Sequence, residues 1–183
     1  MGAFKKIFTA IFLLISITLT AQNNDTFFTM QPTLTPDGDT IIFSYEGDLW
    51  KVQTSGGNAF RLTAMQGDET NPSVSPDGKT IVYCAERGGN YDVYAMSTEG
   101  GAETRLTDAE GLDDGPEYSP DGKYIYMNSF RSGKMQIWRM HPDGSKPEQV
   151  TFDNYSNWFA HISPNSKQAT IISYLEDQGQ KHP

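Results

Sequence analysis

At 183 residues, with 37% hydrophobic and 20% charged side chains, the chain has the size and composition of one domain. Its 23 acidic residues outnumber 14 basic ones, and the net charge of −9 opposes binding to phosphate backbones or anionic lipid, which requires Lys and Arg. A single cysteine, Cys84, excludes an intrachain disulfide, so packing must supply the stability.

In chain order, the first element is a processing segment. Lys5 and Lys6 form a basic start, the 13 residues from Ile7 to Leu19 carry no charge, and Thr20-Ala21 leads into polar Gln22-Asn23-Asn24-Asp25. This layout predicts a secretory signal peptide over 1–21. Its apolar run is shorter than the about 20 residues that a spanning helix needs. The competing reading is an uncleaved membrane anchor. Cleavage after Ala21 leaves 12 basic against 23 acidic residues, a net charge of −11. The expected product is a periplasmic chain with no stable membrane insertion, opening on a short lead over 22–29.

From residue 30 to 176 the chain repeats itself every 44 residues. Ser75-Pro76-Asp77-Gly78, Ser119-Pro120-Asp121-Gly122 and Ser163-Pro164-Asn165-Ser166 keep that register, with Thr35-Pro36-Asp37-Gly38 40 residues ahead of the first. Asp48-Leu49-Trp50, Asp92-Val93-Tyr94 and Gln136-Ile137-Trp138 keep it too, as do Arg61-Leu62-Thr63, Arg105-Leu106-Thr107 and Gln149-Val150-Thr151. Each unit reads as four strands. The innermost begins near Pro32, Pro72 and Pro116 and ends at the Pro-Asp-Gly turn, where Pro presets φ and Gly accepts φ > 0. The second is a β-branched and aromatic run such as Ile81-Val82-Tyr83-Cys84, continuous enough to be buried on both faces. The third carries Trp50, Tyr94 or Trp138, and a short outer strand ends in Leu-Thr or Val-Thr. No segment after the signal peptide has a helical period.

Repeats of this length built from short strands predict an all-β fold, a β-propeller of four-stranded antiparallel blades. Three blades are complete (about 30–63, 71–107 and 115–151), about half of a fourth follows (159–174), and a tail occupies 177–183. In that last half blade Asn165-Ser166 replaces Asp-Gly and Gln168-Ala169 stands where Tyr124-Ile125 stood, so its turn reads as degenerate. An open ring leaves edges unpaired. The expectation is therefore a truncated or fragmentary chain, or an oligomer that completes the ring. Trp50, Tyr94 and Trp138 are expected to fill gaps between blades. Arg87 and Arg131 are expected to tie turns to carbonyls or acids, and Cys84 to be a small buried hydrophobe.

Function is expected where the repeats differ. The connections 64–71, 108–115 and 152–159 are read as long loops around one mouth of the central channel. They, with the following inner strand, supply a candidate partner-binding rim of Asp68, Glu69, Asn71, Asp113, Asp114, Asn157, Trp158 and His161. Carboxylates with aromatics suit a basic peptide segment or a hard cation, and the plain alternative is that these charges solvate loops. No Asp-x-Asp-x-Asp-Gly loop supports calcium, and no metal, cofactor or catalytic residue is assigned. His161 stands near Asp153 in sequence, a possible dyad with no nucleophile marked by a motif. A protein or peptide of the cell envelope is the expected partner, and nucleic acid is not.

The Ser-Pro-Asp-Gly-Lys turns at 75–79 and 119–123 and the Arg-Leu-Thr strand ends resemble the WD40-like repeats of TolB, of the Tol biopolymer-transport system. The resemblance covers about residues 30–174. The segment from Phe43 to Val52 is also similar to the N-terminal propeller of tricorn-type proteases. The TolB resemblance implies a noncatalytic periplasmic interaction scaffold linked to envelope transport. TolB itself carries an α/β domain ahead of its propeller, whereas strands here begin almost at the cleavage site, so its TolA and lipoprotein contacts are not carried over. The tricorn resemblance implies the alternative of an N-terminal propeller from a tricorn-like or prolyl-oligopeptidase-like hydrolase. Because some TolB-like propellers act on oligosaccharides, Trp158, His161 and the acidic segments also permit carbohydrate binding or cleavage.

Overall fold

Three four-stranded antiparallel sheets and one two-stranded sheet follow one another along residues 30–175, the part of the chain that the computed structural model describes. The expected signal peptide over 1–21, the expected lead over 22–29 and the tail over 177–183 lie outside the described residues. The first sheet is β1 (Met30–Leu34), β2 (Thr40–Tyr45), β3 (Asp48–Gln53) and β4 (Phe60–Arg61), hydrogen-bonded in that order. The second is β5 (Glu69–Val74), β6 (Thr80–Glu86), β7 (Tyr91–Ser97) and β8 (Thr104–Arg105). The third is β9 (Asp113–Tyr118), β10 (Ile125–Ser129), β11 (Gln136–Met140) and β12 (Glu148–Gln149). β13 (Ser156–Ile162) and β14 (Ala169–Tyr174) form the two-stranded sheet. Among the described residues there is no helix, and the order is that of successive propeller blades.

Each first hairpin is closed by the same side-chain device. Ser75 Oγ donates to Asp77 Oδ1 (2.6 Å), the same oxygen accepts from Lys79 N (3.1 Å), and Gly78 N reaches Ser75 O (2.8 Å). Such Asx and hydroxyl bonds pin a turn locally. Thr35–Asp37 and Ser119–Asp121 repeat them. These bonds hold the three carboxyls below the usual carboxylate range, Asp121 at about 2. The fourth turn, degenerate in sequence, keeps the geometry: Ser163 Oγ donates to Asn165 Oδ1 (2.8 Å), and Ser166 takes the glycine's place at φ 56°.

The blades are joined through apolar faces. Ile42 and Leu49 of the first meet Ile81, Tyr83, Ala85, Tyr94 and Met96 of the second. From the second blade's opposite face, Val82 and Val93 meet Tyr118, Ile125, Met127 and Met140 of the third, with Trp138 packed alongside. Full burial of each large apolar side chain contributes about 1.5–3 kcal/mol. Tyr94 and Trp138 thus fill the seam toward the preceding blade. Trp50 holds the same register position, where it is half-buried, meets Tyr45 edge-on (6.0 Å) and donates Nε1–H to Tyr45 O.

The outer strands have only two residues each and are held by a clasp. Thr63, Thr107 and Thr151 accept the amides of Leu49, Val93 and Ile137 at 2.8–2.9 Å. Arg61 pairs with Asp48 (2.6 Å) and Arg105 with Asp92 (2.7 Å). In the third blade both partners change together, to Gln149 and Gln136. Asp92 is 1% exposed, so its charge is expensive without Arg105. Arg105 is itself half exposed, so Arg105→Gln alone should cost about 2 kcal/mol in urea unfolding, as for a buried acceptor that loses its partner. The double variant Asp92→Gln/Arg105→Gln, which copies the third blade, should recover most of that loss.

Candidate functional site

A proline in an inner strand has no N–H for the ladder, so the pairing must be interrupted there. The interruption is a β-bulge in every blade, at one equivalent place. Register shifts fall between Met30 and Thr33, between Thr70 and Ser73, opposite Tyr126–Asn128 in the third blade, and between Trp158 and His161. The residue before each proline is left-handed, Gln31 (φ 50°), Asn71 (52°) and Gly115 (58°), and Phe159 (50°) precedes Ala160 in the fourth blade. Pairing resumes upstream of the bulge. Three inner strands therefore start at Glu69, Asp113 and Ser156, ahead of the prolines or of Phe159.

This shortens the expected loops and moves most of the expected rim into strands. Of those eight residues only Asp68 precedes its strand, exposed beside the Gly47 turn. Glu69, Asp113 and Asn157, at one register position, are buried braces. Glu69 accepts from Arg87 (2.5 Å) and Thr63 Oγ1 (2.9 Å), and Asp113 accepts from Arg131 (2.8 Å). Asn157 donates to Asp153 Oδ1 (2.8 Å) and Gln136 Oε1 (3.3 Å). Trp158 is buried as well. Arg87 and Arg131 do tie turns to acids, and each guanidinium also lies over the seam aromatic of its blade, Tyr94 and Trp138. Asn71 and Asp114 are half-buried and His161 is exposed.

Asn71 and His161 line one open cavity. Residues 31–33, 71–73, 115–117 and 159–161, three consecutive positions on each inner strand, enclose about 510 Å³ of channel. Hydrogen bonds run around its wall from blade to blade. Gln31 Oε1 accepts from Asn71 N (3.0 Å), and Asn71 Nδ2 donates to Asp114 Oδ1 (2.8 Å). The same carboxylate oxygen accepts from the Cys84 thiol (3.0 Å), whose sulfur accepts from Gly115 N (3.2 Å). Cys84 is thus fully buried but works as a polar link, not merely as a small hydrophobe. Burial and the neighbouring Asp114 push its thiol pKa well up. Asn128, 44 residues on, repeats the link by accepting from Phe159 N (2.7 Å).

His161 does not meet Asp153. Its Nδ1 lies 2.6 Å from Glu117 Oε2 on the neighbouring inner strand, while Asp153 Oδ1 accepts from Tyr155 N and Asn157. Gln31 and Glu117 were absent from the expected rim, whereas Phe159 lies at the end of the expected loop 152–159. Their signal was available in the register, since each lies within one residue of an inner-strand proline or of its Ala160 equivalent. Among the described residues no group of three or more His, Cys, Asp or Glu side chains is placed to hold a metal ion.

Comparison with known proteins agrees with this architecture. The Tricorn protease N-terminal beta propeller domain family matches residues 26–111. Tricorn protease homolog 1 of Streptomyces coelicolor is 35% identical over 59 residues, 32% of this chain and 6% of that protein. The structure of a putative TolB from Agrobacterium tumefaciens superposes with a TM-score of 0.73 at 38% identity, covering 82% of this chain and 57% of that one. TolB from Acinetobacter baumannii gives 0.75 at 27% identity, covering 81% and 38%. The chain therefore spans little more than half of the first of these structures and a small part of the tricorn homologue. It is a TolB-like and tricorn-like β-propeller, with three four-stranded blades and a two-stranded fourth among the described residues.

Burial dominates at Glu69 and Asp92. It raises the carboxyl pKa of Glu69 above its ordinary value, against the lowering effect of Arg87 and Thr63, and raises that of Asp92 against Arg105. A carboxyl whose folded pKa exceeds its unfolded one stabilises the fold below the unfolded value and loses that contribution as pH rises through the folded one. Denaturation of wild type and Glu69→Gln across pH 4 to 7 should show it. The stability difference, wild type minus variant, should fall as the pH rises above about 4.3, the ordinary glutamate pKa.

Proposed function

We propose that this chain is an exported, periplasmic propeller that acts as a noncatalytic protein-interaction scaffold linked to cell-envelope transport, taking an extended partner segment at its channel. The observation that carries this reading is the channel wall, where four inner strands turn the same bulged positions toward one open cavity. A bulge re-aims side chains that a regular ladder would hide. Asn71 and Asp114 stand at that wall, Asp68 is exposed one residue ahead of strand β5, and the excess of acid favours a basic partner. The likeness to TolB and the charge pattern of residues 1–21 support the cellular setting. In this reading a second copy can cover Leu34 or Ile172, both exposed on the terminal sheets.

The test is retention of envelope proteins by the immobilised mature chain, compared with folded Asn71→Ala and Asp68→Lys variants. A partner held by wild type and lost from both variants is the expected result. Equal retention by all three, or none by any, sinks the scaffold reading.

A second reading, the N-terminal propeller of a larger hydrolase, is favoured by the match of residues 26–111 to the tricorn propeller. The gene sequence beyond codon 183 separates the two. The scaffold predicts more blades and then a stop, and a downstream serine-hydrolase or protease domain would favour the hydrolase.

A further inference from the structure

The bulge position is occupied by Gln31, Asn71, Gly115 and Phe159, all at φ between 50° and 58°. Glycine takes that conformation freely and asparagine tolerates it. A bulky aromatic there is an outlier that costs backbone energy and persists only where its surroundings hold it. Asn128 does the holding: it is fully buried, and its Oδ1 accepts the Phe159 amide at 2.7 Å. The architecture does not require the ring, because Gly115 fills the same place in the preceding blade with no side chain. The Phe159 ring instead lies over Gly115, where an added Cβ would come within 3.0 Å of it, and the residue remains 37% exposed to the channel.

Two positions further along the strand, the first two blades carry Thr33 and Ser73, and the last two carry Glu117 and His161. All four line the cavity with Phe159. With Glu117 ionised, His161 Nδ1 holds the proton of the 2.6 Å bond, and Ile162 N donates to the other carboxylate oxygen (3.3 Å). The carboxylate is therefore oriented, 30% exposed, and has acceptor capacity left for a ligand. Among the described residues no Lys or Arg lines the cavity.

We infer that the Phe159–Glu117 face of the channel is a subsite for an arginine side chain of the bound segment, an assignment that rests on the protein-interaction reading above. A guanidinium stacks on an aromatic ring and donates to a carboxylate at once, whereas a lysine ammonium, compact and strongly hydrated, exploits the ring less. The volume of about 510 Å³ falls in the usual range for ligand sites.

The test uses the full mature chain and short dye-labelled Gly/Ser peptides that differ only in a central Arg, Lys or citrulline, read by fluorescence anisotropy. The arginine peptide should bind about fivefold to tenfold more tightly than the other two. Phe159→Gly and Glu117→Gln should each erase that preference, while Phe159→Trp, which keeps a ring and guards against a folding artefact, should retain it. Equal binding of the three peptides to wild type overturns the subsite and leaves the scaffold standing. So does a preference that survives Phe159→Gly. Failure of every peptide on a chain that still retains its envelope partner also overturns the subsite alone.

Discussion

Strand β6 runs Ile81-Val82-Tyr83-Cys84-Ala85 with every residue buried, alternate side chains serving opposite faces of one sheet, so the sheet is stable only while neighbours cover both. That requirement makes the unit recur. Ile81 and Tyr83 need the first blade, and Val82 needs the third. The wedge shape follows, since the two-residue outer strands bury little and are held by threonine clasps and ion pairs, while the inner strands converge on the channel. Buried polar groups such as Thr63, Thr107 and Asp92 enter the interior as members of these repeated links.

Much of this was legible as period. Strands, hairpin turns and seam aromatics recur at 44 residues because each blade solves the same packing problem. The bulge was not legible, because spacing does not report φ. A proline reads as the start of a strand when in fact pairing resumes upstream of it, and the loops were consequently drawn too long. Glu69 and Asp113 looked like rim charges for a related reason: their partners Arg87 and Arg131 each lie 18 residues on, across a hairpin. A constant separation was the available clue. In the fourth repeat the corresponding position is Leu175, and the acid has become Asn157.

Positions that face the channel differ from blade to blade. Around its wall Gln31, Asn71, Gly115 and Phe159 share a backbone conformation and have unlike side chains, and Thr33, Ser73, Glu117 and His161 share a level. A repeated scaffold with unrepeated lining separates the two demands on a residue. Fold constrains the backbone and the hydrogen-bond links behind it, whereas recognition is left to the side chains in front.

The fourth hairpin draws a further distinction among the turns. In the first three, an aspartate carboxylate organises the bend and is held ionised below its ordinary range by the hydroxyl and amide around it. Acidification must eventually protonate those groups and forfeit what the bonds contribute. Asn165 makes the same contacts with a neutral amide oxygen that has no proton to gain. Replacing one acid by its amide therefore leaves the last corner of the molecule indifferent to a proton concentration that the other three must resist.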